Sequence, residues 1–236
     1  MKLYIIVFLI IFFNVTCESQ NQSGVLRYKG IVLATKTDTI KNQRLKETIA
    51  LFNTNTQEVL YELRFNHDES IFSAIENVDI DQSHEYLISK ILQDGSGIYY
   101  SNIHEKYFLI KKENYGEIFI IKQPNYVWEL NSESKKIGDF TCQKATTFYE
   151  VNNSIGSFKH KVTAWYTAQI PISFGVKGFN GLPGVIVQID IHNAVFLLTE
   201  INFNSKQTIL INKPIKGINI TKKEFEKIGL EKRFKN

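Results

Sequence analysis

The sequence predicts a mostly β protein: an antiparallel curved sheet, built as a half-barrel or a sandwich, with a C-terminal helix. Three observations predict it. β-branched and aromatic residues recur in short runs bounded by Asn, Asp, Gly and Ser, the pattern of strands and turns. Within the clearest run, Phe158 to Tyr166, side chains alternate in character with a period of two, as a half-buried strand requires. Helical signals are few, and the strongest stands at the end of the chain.

Taken in order, Val25 to Thr37 reads as the first strand. Thr48 to Asn53 and Glu58 to Phe65 read as a strand pair joined through Asn53-Thr54-Asn55. Asp68 to Ile75 resists a strand reading and is expected as a loop or a single helical turn. Tyr86 to Leu92 fits a weak strand or a helix. Ile98 to Tyr100, Tyr107 to Lys111 and Glu117 to Lys122 read as a meander, with Asn114-Tyr115-Gly116 turning between the last two.

The second half reads more cleanly. Val127 to Leu130, Thr141 to Val151 and Phe158 to Thr167 are strands, with Asn152 to Gly156 as a hairpin turn. Phe158, Val162, Ala164 and Tyr166 share one face with His160 among them, and Trp165 falls on the other. Core is the default for each of Trp165 and Tyr166, yet a regular strand points them to opposite faces. One is then core, and the other lines a groove or meets solvent. Trp128 is equally ambiguous. Val185 to Ile191, Ala194 to Phe203 and Gln207 to Ile211 complete the strands, turning at His192-Asn193 and Asn204-Ser205. Thr221-Lys222-Lys223-Glu224 is a capping box that opens the final helix, where Phe225, Ile228 and Leu230 give a partial apolar face.

The bulk numbers fit one domain. The chain has 236 residues, and its 43% hydrophobic and 13% aromatic content supplies ample surface to bury. The 28 basic and 24 acidic residues leave a formal charge of +4, too weak for a nucleic-acid binder. Lys222, Lys223, Lys227, Lys232, Arg233 and Lys235 form the one basic cluster, read as a solvated helix face and tail.

Residues 1–19 read as a signal peptide, leaving 20–236 as a single β-rich domain. Lys2 precedes an apolar run, Leu3 to Phe13, that is too short to span a membrane. Cys17 and Ser19 occupy the small-residue positions that signal peptidase prefers, giving a mature start at Gln20. The alternative is a lipoprotein anchored at Cys17, with peripheral membrane association. Val15-Thr16-Cys17 fits that signal loosely, since Asn14 stands where Leu is usual. On either route Cys142 has no partner within the mature chain and is expected as a buried hydrophobe.

The most distinctive stretch runs from Ile170 to Val185. Asn180-Gly181 suits one turn and Pro183-Gly184 a type II turn, with Gly184 at φ > 0. Leu182, held between them, is expected to plug into the core. Two readings stand: a rigid corner feeding the strand from Val185, or a ligand-contacting loop whose glycines permit close backbone approach. It lacks the Lys and hydroxyl of a phosphate-binding loop, and no helix follows it.

Gly181-Leu182-Pro183-Gly184-Val185-Ile186 resembles the motif of the GLPGLI family of exported Bacteroidetes proteins, with Val185 in place of Leu. Trp128-Glu129-Leu130, Ile137 to Ala145 and Ala164 to Ile172 occur in that family's order and spacing, and Glu69 to Phe72 resembles an upstream feature. The match is specific over Trp128 to Asp190. It departs at Val176-Lys177, where family members often carry Gly-Pro. The resemblance implies an exported protein of unassigned activity and supplies no catalytic residues.

No catalytic motif emerges from the residues themselves. His84-Glu85 and His104-Glu105 begin but do not continue a zinc HExxH motif, since Ile88 and Phe108 stand at the closing position. His67, His84, His104, His160 and His192 show no paired ligand spacing, so no metal or cofactor is expected. Ser96 lacks the glycine two residues before it that a nucleophile elbow needs. The expectation is a non-enzymatic protein of the periplasm or cell surface that binds a small apolar ligand or a peptide in its curved sheet. Trp165, Tyr166, Gly181, Leu182, Pro183 and Gly184 are the candidate binding residues. The alternative is an accessory protein that meets an outer-membrane partner.

Overall fold

A computed structural model describes residues 23–34, 41–54, 56–76, 83–153, 156–203 and 209–233. The expected signal segment, Cys17, Gln20, the Asn204-Ser205 turn and the tip of the 152–156 turn lie outside the described residues. Among the described residues, no helix is long and apolar enough to cross a membrane.

The strands are β1 (Gly24–Val32), β2 (Val59–Phe65), β3 (Glu69–Ala74), β4 (Ile98–Asn102), β5 (Tyr107–Asn114) and β6 (Glu117–Pro124). They continue with β7 (Glu129–Ile137), β8 (Phe140–Asn153), β9 (Gly156–Thr167), β10 (Val185–Ile191), β11 (Ala194–Phe203) and β12 (Ile218–Thr221). The helices are α1 (Gln43–Thr54), α2 (His84–Leu92) and α3 (Lys222–Arg233). All twelve strands form one open, curved sheet in the order β12-β6-β5-β4-β3-β2-β1-β11-β10-β9-β8-β7. Of the two architectures expected, the open curved sheet of a half-barrel is the one formed, and among the described residues no second sheet packs on it as in a sandwich. Every ladder is antiparallel except β12 on β6.

Chain connectivity forces the curvature. β6 ends at Pro124 and β7 begins at Glu129, yet β7 is one edge of the sheet and β6 lies next to the other. In a flat sheet, ten strand spacings would separate them by roughly 48 Å. The link from Pro124 to Glu129 reaches at most roughly 18 Å when fully extended. The sheet must therefore curl until its ends approach. α3 lies in the resulting gap: Phe225 meets the Phe119 ring of β6 edge-on at 5.2 Å, and Glu226 accepts from Asn152 of β8 at 2.7 Å. The helix starts as the capping box requires, with Thr221 N–H donating to Glu224 Oε2 at 2.8 Å and Glu224 N–H to Thr221 Oγ1 at 3.3 Å.

Three local expectations are overturned. Thr48 to Asn53 lies in helix α1, not in a strand. Gln43 donates to Glu47 one turn on at 2.8 Å, and the good helix formers of its first half outweigh the β-branched residues that follow. Asp68 to Ile75 is strand β3, pairing with both β2 and β4. Its inward positions include a buried Ser70 beside Phe72, which disguises the period of two. No strand covers 209–211; Ile211 instead packs on Tyr100, Leu109 and Ile120 on the outer face. The open alternative at Tyr86 to Leu92 resolves to α2, capped by Ser83, whose Oγ accepts from Tyr86 N–H at 3.2 Å.

The core fills the concave side. Tyr61 stacks on Phe72 at 5.3 Å and meets Phe196 edge-on at 5.2 Å, joining β2, β3 and β11. The segment between β9 and β10 folds inward as a plug, burying Ile172, Phe174, Val176, Phe179 and Leu182 in the same cluster. Leu182 is 1% exposed, as its place between two turns predicts.

Candidate functional site

The plug is fixed at several points. Gly175 N–H donates to Asn180 Oδ1 and Gly181 N–H to Ser173 O, both at 2.8 Å. Asn180 reaches Ser101 Oγ of β4, and its carbonyl accepts from Trp128 Nε1, each at 2.8 Å. Gly181 has φ 94°, the turn expected there. Gly184 differs from expectation, since it is not among the positive-φ glycines. Its role is close approach: a Cβ there would stand 2.1 Å from the Thr167 carbonyl oxygen.

Beside the plug, the concave face forms a half-open cavity of about 390 Å³. That volume lies within the roughly 300–1,000 Å³ usual for small-molecule sites. Tyr99, Phe108, Tyr126, Tyr149, Phe179 and Phe196 supply aromatic wall, and Ile110, Ile121, Val151, Ile191 and Ala194 supply aliphatic wall. Tyr126 stacks on Phe179 at 4.2 Å, so plug and sheet meet ring to ring. α3 contributes Lys222, Phe225 and Glu226.

A charged cluster stands in this apolar setting. Lys177, on the short 3-10 turn Val176–Gly178, is buried with a side chain 9% exposed. Its Nζ donates to the Gln93 carbonyl at 2.7 Å and lies 3.7 Å from Asp94 Oδ2. Lys112 of β5 donates to Asp94 Oδ1 at 2.5 Å. The Tyr99 hydroxyl is 3.4 Å from Asp94 Oδ2. Asp94 is crowded by these groups, yet its side chain, which lines the cavity, is 57% accessible.

Electrostatics follow from this crowding. Burial pushes the Asp94 carboxyl up, but Lys177 and Lys112 together outweigh it and hold the group below its usual value. Burial pushes Lys177 down, with Lys112 adding to the effect and Asp94 opposing it. The buried Tyr99 hydroxyl is held well above its usual value, first by burial and then by Asp94. Behind the cluster, the buried Gln93 accepts from the Tyr61 hydroxyl at 3.1 Å and donates to the Gly30 carbonyl at 3.3 Å.

Among the described residues, four non-glycines have positive φ: Asp94, Tyr115, Lys177 and His192. Tyr115 and His192 belong to the expected hairpin turns; Asp94 is the left-handed cap that ends α2, its N–H on the Ile91 carbonyl at 2.9 Å; and Lys177 lies in the turn closed by Phe179 N–H on the Val176 carbonyl at 3.0 Å.

None of the six residues expected to bind lines the cavity. Trp165 and Tyr166 are both buried, not divided between core and groove. Trp165 lies beneath Lys135, whose Nζ is 4.2 Å from the ring centroid, with Lys144 at 5.6 Å. The Tyr166 hydroxyl donates to Gln143 Oε1 at 2.9 Å. Gly181, Leu182, Pro183 and Gly184 form the base of the plug. The plug residues that do reach the cavity are Lys177 and Phe179. His160 is half-buried, stacked on Tyr149 at 5.1 Å and meeting His192 at 4.7 Å. Cys142 is a buried free thiol, held above its usual pKa by burial against the opposing pull of Lys135. No group of three or more His, Cys, Asp or Glu able to hold a metal occurs among the described residues.

The signal for Lys177 in the sequence was that Val176-Lys177 departs from the pattern the loop otherwise resembles. Asp94 had no comparable signal.

Comparison with known proteins gives a short match. Residues 156–188, which cover β9 and the plug, match the model of a family described as a protein of unknown function (Porph_ging). The GLPGLI name is not confirmed by it. No curated protein matches. Two solved structures of PNGF-II, in space groups C2 and P21, are similar at 16% and 13% identity, with TM-scores of 0.43 and 0.46. The similarity covers 85% and 88% of this chain but 30% and 33% of those chains, so this chain spans about a third of their length.

Proposed function

We propose that the chain is an exported, single-domain binding protein that holds a small apolar ligand beneath its curved sheet. One observation carries the reading: an aromatic-walled cavity of about 390 Å³ between the concave face, the plug and α3. Export rests on the basic residue and short apolar run at Lys2 to Phe13 and on the GLPGLI resemblance. The glycine-proline segment serves the ligand indirectly. Leu182 and Gly184 anchor the plug, and Phe179 presents its ring to the cavity. Trp165 and Tyr166 support the sheet on which the plug rests.

The rival reading, docking to an envelope partner through a sheet edge, has less support. The free edge β7 carries Glu129, Glu133, Lys135 and Lys136, and charges on an edge strand discourage strand addition.

Trp128 lies 6.2 Å from the Phe179 ring, so its fluorescence reports on the cavity wall. Titration with dodecanol is expected to give a saturable change and a one-to-one complex in native mass spectrometry. Val151→Trp, which fills the cavity from β8, is expected to abolish both. Binding that survives this substitution, or no saturable binding by the parent chain, overturns the reading.

A further inference from the structure

The inner end of the cavity holds an unequal set of charges. Two ammonium groups, on Lys112 and Lys177, share the single carboxylate of Asp94. At the α3 end, Lys222 and Glu226 pair with each other at 3.7 Å, so that end balances itself. One positive charge is therefore left over at the inner end, against the rings of Tyr99 and Phe196. Of the three groups only Lys177 is buried; the side chains of Lys112 and Asp94 are 24% and 57% accessible, so the surplus is a partly solvated positive charge that a bound anion can meet. Lys177 also has donor capacity to spare. Of its three N–H donors, one is used at the Gln93 carbonyl, and Asp94 Oδ2 at 3.7 Å is beyond hydrogen-bond length.

We infer that the ligand is an amphipathic monoanion, an apolar chain ending in one carboxylate, with its head at Lys177 and Lys112 and its body along the aromatic wall. This deepens the proposed function and rests on the cavity being the binding site. One negative head closes the charge count at the inner end. Its two oxygens can each accept from one ammonium, as charge-assisted hydrogen bonds do. A cationic head would meet two lysines, and a neutral hydroxyl would leave the surplus uncompensated.

The test compares dodecanoate, dodecanol and dodecylamine on the full chain, by Trp128 fluorescence and calorimetry below their micellar concentrations. Dodecanoate is expected to bind at least about tenfold more tightly than dodecanol, the return from one or two charge-assisted hydrogen bonds. Lys177→Met keeps the apolar stem and is expected to erase that preference, bringing the ratio of dodecanoate to dodecanol affinity to within about twofold of one. Circular dichroism and the urea midpoint check that the variant folds. If it does not, Lys112→Met on the regular strand β5 carries the same comparison. Equal affinity for dodecanoate and dodecanol, or preference for the amine, overturns the inference and leaves the apolar cavity standing. No binding of any of the three removes the cavity reading and the inference together.

Discussion

Lys177 and Asp94 face each other at 3.7 Å, and both hold left-handed backbones, with φ of 53° and 47°. Asp94 takes it as the cap that ends α2, with Gly95 N–H on the Lys90 carbonyl at 2.8 Å, and Lys177 takes it in the turn closed by Phe179 N–H on the Val176 carbonyl at 3.0 Å. The pair joins the plug between β9 and β10 to the turn after α2, two segments far apart in sequence. Lys112 completes the cluster from a third element.

Removing the shared carboxylate leaves Lys112 and Lys177 to repel each other. Asp94→Asn is expected to lower stability by about 1 kcal/mol, a modest figure because the Asp94 side chain is well exposed to the cavity. Urea unfolding at neutral pH measures it. A stability equal to or above the parent's would show that the two lysines do not depend on Asp94.

The same carboxylate sets an acid dependence. Its folded-state pKa lies below the ordinary 3.8 because the pull of Lys177 and Lys112 exceeds the effect of burial. The stability it contributes is complete above that ordinary value and is lost as pH falls through the lower folded value. The difference in urea midpoint between the parent and Asp94→Asn should hold constant from that ordinary value up to the pH at which Lys177 begins to lose its proton, and shrink on the acid side across that acid window.

Lys177 gives the opposite limb. Burial, aided by Lys112 and opposed by Asp94, sets its folded pKa below the ordinary 10.5. Tyr99, which also faces it, stays neutral there because its own pKa is raised well above 10.0. Between the folded value of Lys177 and 10.5, the unfolded chain holds a proton that the folded chain has released. Stability therefore rises with pH across that window. Dodecanoate affinity should fall across the same window as Lys177 loses its charge, while dodecanol affinity should not follow it.

Two glycines of one motif should respond differently to alanine. At Gly184 the new Cβ would meet the Thr167 carbonyl oxygen at 2.1 Å and the Ala168 Cα at 2.9 Å, and backbone atoms cannot easily yield. Gly184→Ala is expected to cost about 3 kcal/mol, at the upper end for overpacking. At Gly181 nothing stands within 4 Å, and only the φ of 94° opposes a side chain. Gly181→Ala is expected to cost about 1 kcal/mol. Chemical denaturation of the two variants side by side checks the order, and the reverse order would contradict the close-approach role of Gly184.

Cys142 is fully buried and its thiol is held above the ordinary range, so little reactive thiolate reaches solvent. Alkylation at this residue, followed by peptide mass spectrometry, should be slow in the native protein and should accelerate on adding urea. Rapid native labelling would contradict the burial.

By itself the sequence determined the β character, most strands of the second half, the capped C-terminal helix and the inward seat of Leu182. Those features are local. A period of two, a capping box or a turn pair is written within a few neighbouring residues, and each fixes its own hydrogen bonds. Tertiary structure decided what local patterns cannot carry. Ser70 hides the alternation of β3 because a small polar residue fills an inward position, and α1 forms where β-branched residues had pointed to a strand. Sheet order curls the chain so that the plug meets α2 and β5, and only that curvature brings Lys177, Asp94 and Lys112 together. Trp165 and Tyr166 were legible as aromatic strand residues, but burial on both faces depended on the lysines and the plug that cover them. The pocket lining therefore belongs to Lys177, Phe179 and the concave wall, because contact across a curved sheet is set by connectivity and not by spacing along the chain.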